Sequence, residues 1–377
     1  MLMRQRSGIA MKVLMLVDTL RTGGKERQLV HLLRILRPDP SIEIHLALMD
    51  EEIHFDGVSE LVSSIHYVVR TAKFDVTVIA RLAAVVRDVR PDIVHTWDPL
   101  TTALGAGIAQ WYGIPFVNGM IRNVPHLLHD PFWPFLAAWL TMPLSDIVVA
   151  NTKAGLRTYH VPRRKGICVH NMYEAGGNTQ RARSPDLARE LGCPGRKFVG
   201  MVGTFSRFKD YRTFFAMAAI VARQMNDVTF LAVGDGPMLQ DVKDSIPDGL
   251  RPRVAFLGRR ADVDHIISGL HVGVLTSRRE GMSNVLMEYM AWGLPIVTTA
   301  AGGTRELLPD EGYAHIVPYG DANAVAMAVL DVLNDPNGAR EMGLRAQSHL
   351  RTEFSSEAFR RGFLDVYDAV LGRKGIM

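Results

Sequence analysis

The strongest constraint on this chain is a pattern that occurs twice. Short, continuously apolar runs alternate with longer amphipathic stretches, stop at a polar segment, and then restart. The first set is KVLMLVD (12–18), EIHLALM (43–49), SIHYVV (64–69), DIVHTW (92–97), PFVNGMI (115–121) and DIVVAN (146–151). Continuous rather than alternating apolarity is what strands covered on both faces of a parallel sheet require. Between them, KERQLVHLLRIL (25–36) and TVIARLAAVVRDV (77–89) carry apolar residues at helical spacing. The second set is KFVGMVG (197–203), VTFLAVG (228–234), RVAFLG (253–258), HVGVLTS (271–277) and PIVTTA (295–300). This βα alternation predicts an α/β chain with two doubly wound parallel sheets in tandem.

The expected boundaries follow. A first domain takes residues 1–165, a linker 166–196, a second domain 197–355, and a terminal helix 356–377. MYEAGGNTQRARSPDLARELGCPGR (172–196) is polar and rich in Gly, Pro and Arg, which suits a linker with one short helix. SEAFRRGFLDVYDAVLG (356–372) reads as a helix stopped by Gly372. A chain of 377 residues also exceeds what one core usually serves.

Composition narrows the partners. Lys and Arg total 43 against 39 Asp and Glu, a net charge of +4. That excess fits an anionic ligand or membrane surface and is too small for a nucleic-acid binder. Two cysteines, Cys168 and Cys193, make no disulfide framework or zinc motif, so a reducing, cytoplasmic setting is expected. MLMRQRSGIA has charge but no apolar run, unlike a signal peptide. PFWPFLAAWLTMPL (131–144) is too short to span a bilayer and holds three prolines. Either it packs as a Pro-capped core helix or it dips into lipid headgroups.

Ligands of open parallel sheets bind beyond the carboxyl ends of the strands, with a cleft between two such domains the default site. In DTLRTGGKERQLV, Gly23 and Gly24 allow close backbone approach, and the next helix offers amides to an anion. A plain βα turn reads the same way. In GTFSRFKDY (203–211), Gly203 ends a strand, and Arg207 and Lys209 beside a helix start form either a diphosphate clamp or a solvated basic turn. VGDGPM and FLGRRADV leave their strands through Gly234 and Gly258, with Arg259 or Arg260 near a base or phosphate, or in a capping turn. No dinucleotide or P-loop glycine motif follows a strand.

In REGMSNVLMEYMAW (279–292), Glu280 falls in the loop SRREG and Glu288 in the expected helix SNVLMEYMAW, with Ser283 as expected N-cap. Glu288 falls beside the apolar positions Val285, Leu286, Tyr289 and Trp292. Eight helical residues set the two acids about 12 Å and 80° apart, too far for a dyad. They suit a long ligand, with the amides of Gly281, Met282, Ser283 and Asn284 meeting anionic oxygens between them.

Together, Glu280-x7-Glu288, GGTREL (302–307), GTFSRFKD, VGDGP, FLGRR and GGKER resemble the retaining GT-B glycosyltransferases of family 4 (glycosyl transferases group 1), bacterial surface-polysaccharide type. The resemblance spans nearly the whole chain. It implies a GT-B fold, two Rossmann-like domains facing a central cleft. It also implies transfer of a hexosyl or N-acetylhexosaminyl group, with retention, from a nucleotide sugar to a glycan or lipid-linked acceptor. UDP is the expected nucleotide, and neither a metal nor another cofactor is required. By position, Glu280 would bind donor-sugar hydroxyls, Glu288 the ribose, and Lys209 and Arg207 the diphosphate. Thr204 stands where many members carry the first cation. Gly23 and Gly24 would abut the diphosphate and acceptor. The family's frequent N-domain His is replaced by Arg122 and Asn123 in GMIRNVPHLLHD (119–130), with His126 and His129 beyond, which makes Arg122 and Asn123 cleft residues. His95 and Asp98 in HTWDP are expected to shape the acceptor pocket, although a buried, satisfied His95 fits as well. The rival readings are a GT-B epimerase or hydrolase acting on the sugar nucleotide, and a non-catalytic nucleotide-sugar sensor. Peripheral contact with the inner face of the membrane is the expectation tied to residues 131–144.

Overall fold

The computed structural model describes residues 10–21, 23–70, 75–122, 133–173 and 187–374. The chain forms two compact units, Met1–Met172 with Ser356–Met377, and Tyr173–Ser355.

The first unit holds β1 (Met11–Val17), β2 (Ile42–Leu48), β3 (Ser64–Tyr67), β4 (Ile93–Thr96), β5 (Phe116–Ile121), β6 (Ile147–Ala150) and β7 (Gly166–Cys168). Their order is β3-β2-β1-β4-β5-β6-β7, and every pairing is parallel. In β1, Val13, Met15 and Val17 enter one apolar cluster while Leu14 and Leu16 enter another. A strand feeding two cores must be apolar at every position, which is why the run is continuous. The helix Ser356–Lys374 seals one of these cores with Phe359, Phe363, Val366, Tyr367 and Val370. It runs through Gly372 rather than stopping there, since a single glycine costs only about 1 kcal/mol in a helix.

The second unit holds β8 (Lys197–Val202), β9 (Val228–Val233), β10 (Val254–Gly258), β11 (Val272–Leu275), β12 (Ile296–Thr299) and β13 (His315–Val317). The order is β10-β9-β8-β11-β12-β13, again all parallel. Two strands escape the sequence pattern. β7 lies inside the expected linker and β13 in an unassigned stretch, because each is a three-residue, half-buried edge strand with no period to read.

Each sheet reverses its winding once, between β1 and β4 and between β8 and β11. Loops leaving neighbouring strands there part to opposite sides and open a crevice at the carboxyl ends. Both candidate loop sets sit at these points.

The segment at 131–144 divides between its two readings. Residues 131–132 lie outside the described residues. In the helix Trp133–Thr141, Ala137 and Ala138 pack with Met120, Ile121, Val148 and Ala150, whereas Trp139 is 73% exposed and Leu140 exposed. Among the described residues, no helix is long and apolar enough to cross a membrane.

Candidate functional site

In the second unit, three loops are laced together by backbone hydrogen bonds. Gly203 N–H donates to Val233 O (2.9 Å), Phe205 N–H to Asp235 O (3.0 Å), and Gly234 N–H to Gly258 O (2.8 Å). Gly234 has φ +138, and a Cβ there would lie 2.0 Å from Gly203 O. Only glycine permits that approach. The loop after β8 then runs along the loop after β11. Asp210 N–H donates to Thr276 O (2.8 Å), Arg278 N–H to Phe208 O (2.9 Å), and Thr276 Oγ1 to Asp210 O (2.7 Å). Asp210 also caps the helix Tyr211–Gln224 by accepting from Thr213 N–H at 3.0 Å, worth about 1 kcal/mol.

This lacing brings Lys209 to Glu280, 71 residues away, where Lys209 Nζ donates to Glu280 Oε1. The two side chains are 17% and 12% exposed. Removing one partner of so covered a pair typically costs about 3–5 kcal/mol. The Lys209 stem lies over Gly203, with Cδ and Cε 3.5 Å from where a Cβ would sit. Arg207 does not join Lys209. It is exposed, and its guanidinium stands 4.9 Å from the centroid of the Phe208 ring, with Arg279 at 5.0 Å from the same ring.

The helix after this loop covers only Asn284–Ala291. Glu280 therefore lies in the loop before the helix, and the separation expected from one continuous helix does not apply. Ser283 occupies the N-cap position but its side chain makes no cap hydrogen bond. Gly281, Met282 and Ser283 are buried; Asn284 and Glu288 are half-buried. Tyr289 anchors the helix under β8 and β11, its hydroxyl accepting from Val202 N–H at 3.0 Å. Burial pushes that hydroxyl's pKa well above the ordinary phenol value. Arg259 is exposed, while Arg260 forks onto Asp262 at 2.7 and 2.6 Å, as in a surface turn.

In the first unit, Gly23 is the N-cap of the helix Gly24–Leu36, and a Cβ on it would meet Glu26 Oε2 at 2.1 Å. Lys25 Nζ pairs with Asp18 Oδ1 (2.7 Å) and approaches Glu26 Oε1 (3.6 Å). Burial opposes the Lys25 charge, but Asp98 and Asp18 beside it raise its pKa on balance. Asp98 is buried and bears structural load. It caps the helix Pro99–Tyr112 through Thr101 N–H (2.9 Å) and accepts Asp18 N–H (2.8 Å), joining the ends of β1 and β4. Burial, then the Asp18 charge, raises its pKa.

His95 is 1% exposed, with Nδ1 3.0 Å from Tyr367 Oη and no partner for Nε2. Burial, with the Arg122 charge second, lowers its pKa to about 3, so the ring is neutral. Arg122 is 8% exposed, and its guanidinium carbon sits 3.6 Å from the centroid of the Trp97 ring. A desolvated cation–π contact of this kind is worth about 2 kcal/mol. Among the described residues, none of its three nitrogens has a hydrogen-bond partner. Burial pushes its pKa down to about 9. Trp97 Nε1 donates to Lys25 O (2.9 Å), linking this corner to the glycine loop. Asn123, His126 and His129 lie outside the described residues.

Residues 196–335 match the family model described as Glycosyl transferases group 1. The chain is 26% identical over 312 residues to the N-acetyl-alpha-D-glucosaminyl L-malate synthase of Bacillus anthracis, covering 79% of this chain and 80% of that protein. It is 31% identical over 206 residues to the lipopolysaccharide core biosynthesis glycosyltransferase LpsD of Rhizobium meliloti, covering 53% and 59%. Anabaena HepE, crystallised with UDP, superposes at TM-score 0.81 with 19% identity, covering 95% of this chain and all of that one. The matches support a glycosyltransferase with the GT-B fold.

The chain thus brings together Lys209, Glu280 and the glycines at 203, 234 and 258. It leaves Arg207 and Arg259 at the surface. Sequence reasoning missed Thr276, Thr299 and Asp210, which fix the two loops; Thr299 Oγ1 donates to Ser277 O (2.7 Å) and accepts Ser277 N–H (2.8 Å). It also missed Trp97 as the platform for Arg122. A Thr closing a strand before a polar loop is the signal available for Thr276 and Thr299; nothing local marks Trp97.

Proposed function

We propose that the chain is a retaining, metal-independent family 4 enzyme that moves a hexosyl or N-acetylhexosaminyl group from a UDP-sugar to an envelope glycan or lipid-linked saccharide, in the cytoplasm. The observation that carries the reading is Lys209 held on Glu280 at the β8/β11 crevice, inside the stretch matching the family model. HepE was also solved with UDP-glucose, which supports UDP as the nucleotide. The two curated relatives support an N-acetylglucosaminyl or lipopolysaccharide-type reaction.

In this reading Glu280 accepts hydrogen bonds from donor-sugar hydroxyls. Lys209, already fixed by Glu280, turns its remaining N–H bonds to the diphosphate, and Arg207 swings in from the surface. Glu288 holds the ribose, and the amides of Gly281–Asn284 face the charge between. The anomeric carbon–oxygen bond to UDP breaks as the acceptor oxygen bonds to the same face, and the acceptor proton passes to the departing phosphate oxygen. Stabilising that leaving group is the protein's main electrostatic contribution.

Contact with a lipid surface rests on a separate observation. The helices Pro99–Tyr112 and Trp133–Thr141 pack side by side, and residues 99–121 and 133–145 contain no charge. They expose Trp111 (86%), Trp139 and Leu140, with Leu144 beside them. Lys165 Nζ caps Met142, Pro143 and Ser145 carbonyls, setting the exposed Arg163 and Arg164 next to this face. Exposed Trp and Leu rimmed by cations fit an anionic membrane interface.

The test is titration with UDP, followed by assay of UDP-sugars with and without a panel of acceptors. Glu288→Ala should weaken UDP binding about ten- to a hundredfold, the loss of one or two charged hydrogen bonds. Glu280→Gln should keep UDP binding and lower the rate of transfer roughly 10²-fold or more. Full activity in both variants overturns the site. Acceptor-independent conversion as the main reaction favours the epimerase or hydrolase, and UDP binding without any transfer favours the sensor.

A further inference from the structure

Arg122 ends β5 at the carboxyl edge of the first sheet, one strand from the β1/β4 crevice. It is more than nine-tenths buried, and among the described residues no nitrogen of its guanidinium finds an acceptor. No carboxylate among the described residues forms an ion pair with it. The acids that end β1 and β4 and open the glycine-loop helix are otherwise engaged: Asp18 and Glu26 lie on Lys25, and Asp98 caps its helix. Its position is nonetheless well determined. The Trp97 ring lies under the guanidinium plane, Trp97 is tied to Lys25 O, and Asn151 Nδ2 holds Arg122 O at 3.0 Å.

A second orphan lies close by. Among the described residues His95 Nε2 has no partner, and both it and Arg122 Nη2 lie 3.0 Å from the point where a Cβ on Gly119 would stand, with Thr96 O nearer still at 2.4 Å. Only glycine lets these two nitrogens approach each other between β4 and β5. A buried cation without a counter-charge is costly, and a hydroxyl would satisfy its hydrogen bonds without cancelling its charge. Neutral His95 supplies no anion and accepts no second positive charge beside Arg122. What completes the corner is an anionic oxygen group, and a planar guanidinium backed by an aromatic ring suits a carboxylate or phosphate in bidentate contact.

We propose that Arg122, with His95 beside it, is the specificity element for a saccharide substrate bearing an anionic group, either a sugar carboxylate or a sugar phosphate. The inference rests on the glycosyltransferase reading and names its substrate class.

The experiment uses the full chain in chloride buffer at constant ionic strength. Thermal unfolding and calorimetric titration are run with glucuronate, glucose 6-phosphate and glucose as probes. Wild type should be stabilised by at least one of the two acids and not by glucose, and which acid acts distinguishes carboxylate from phosphate. Arg122→Met, which keeps an apolar chain against Trp97, should weaken binding of that acid at least tenfold. Arg122→Lys should restore part of the affinity, because charge returns without the fork. The proposal is overturned if neither acid outperforms glucose, or if Arg122→Met retains the effect. Should Arg122→Met not fold, the Arg122→Lys comparison and the wild-type selectivity decide alone. UDP titration runs in parallel: loss of UDP binding in wild type would count against the transferase reading, and leaves the anion result standing or falling by itself.

Discussion

Acidification should destabilise the first unit through His95. The ring is enclosed by Trp97, Phe363 and Tyr367, with centroids 5.4–5.7 Å away. Burial and the neighbouring Arg122 hold its pKa at about 3, against 6.5 in an exposed chain. In the unfolded state the ring takes up its proton near pH 6.5; in the native state it stays neutral until about pH 3. The unfolded chain therefore binds the extra proton between those values, so native stability is complete above pH 6.5 and falls as pH drops toward 3. At pH 5 the gap is 1.5 units below 6.5, and at about 1.36 kcal/mol per unit the loss is about 2 kcal/mol. For a unit of this size that corresponds to roughly 4–8 °C in the midpoint. The assay is thermal or urea unfolding of wild type and His95→Asn at pH 7 and pH 5, at one ionic strength. Asn keeps a polar atom near Tyr367 and cannot titrate. The other twelve histidines titrate in both proteins and cancel in the double difference. Wild type should lose about 2 kcal/mol more than the variant between the two pH values. Equal losses would show that the ring is solvated or paired in the native state, and would refute the reasoning.

Two further outcomes follow from the geometry. Gly234→Ala places a Cβ 2.0 Å from Gly203 O at φ +138, so denaturant unfolding should show the second unit destabilised by about 3 kcal/mol or more. Trp111→Ser with Trp139→Ser should abolish sedimentation with anionic phospholipid vesicles while leaving UDP affinity unchanged; undiminished co-sedimentation would assign the exposed face another role.

The legible part of the fold is the part that burial writes into consecutive residues. Eleven of the strands coincide with the apolar runs to within one residue at their starts or lie inside them, and the helix Thr77–Val89 has the bounds its spacing predicts. β7 and β13 were illegible because three half-buried residues carry no periodicity. For the candidate site, the glycines at 203, 234 and 258 were readable as exits from strands. Arg207 and Lys209 look equivalent in sequence as two cations in one turn, yet the backbone turns one onto Phe208 and the other toward Glu280. The helix begins at Asn284 behind Ser283, as the N-cap pattern indicates, so the separation of Glu280 from Glu288 cannot be worked from helical rise alone.

What the sequence alone determined is the alternation, the two sheets, and which loops leave the strands at their carboxyl ends. These follow from local rules, since an apolar run declares burial on both faces and a glycine declares an exit. Tertiary structure decided the partners. Lys209 meets Glu280 across 71 residues and His95 meets Tyr367 across 272, through the winding reversal of one sheet and the packing of the terminal helix on the other. Such pairs depend on register between strands distant in the chain, and no spacing within a loop encodes it. Arg122 is the clearest case: by sequence it is one cation at a strand end, and packing turns it into a buried, unpaired guanidinium on Trp97.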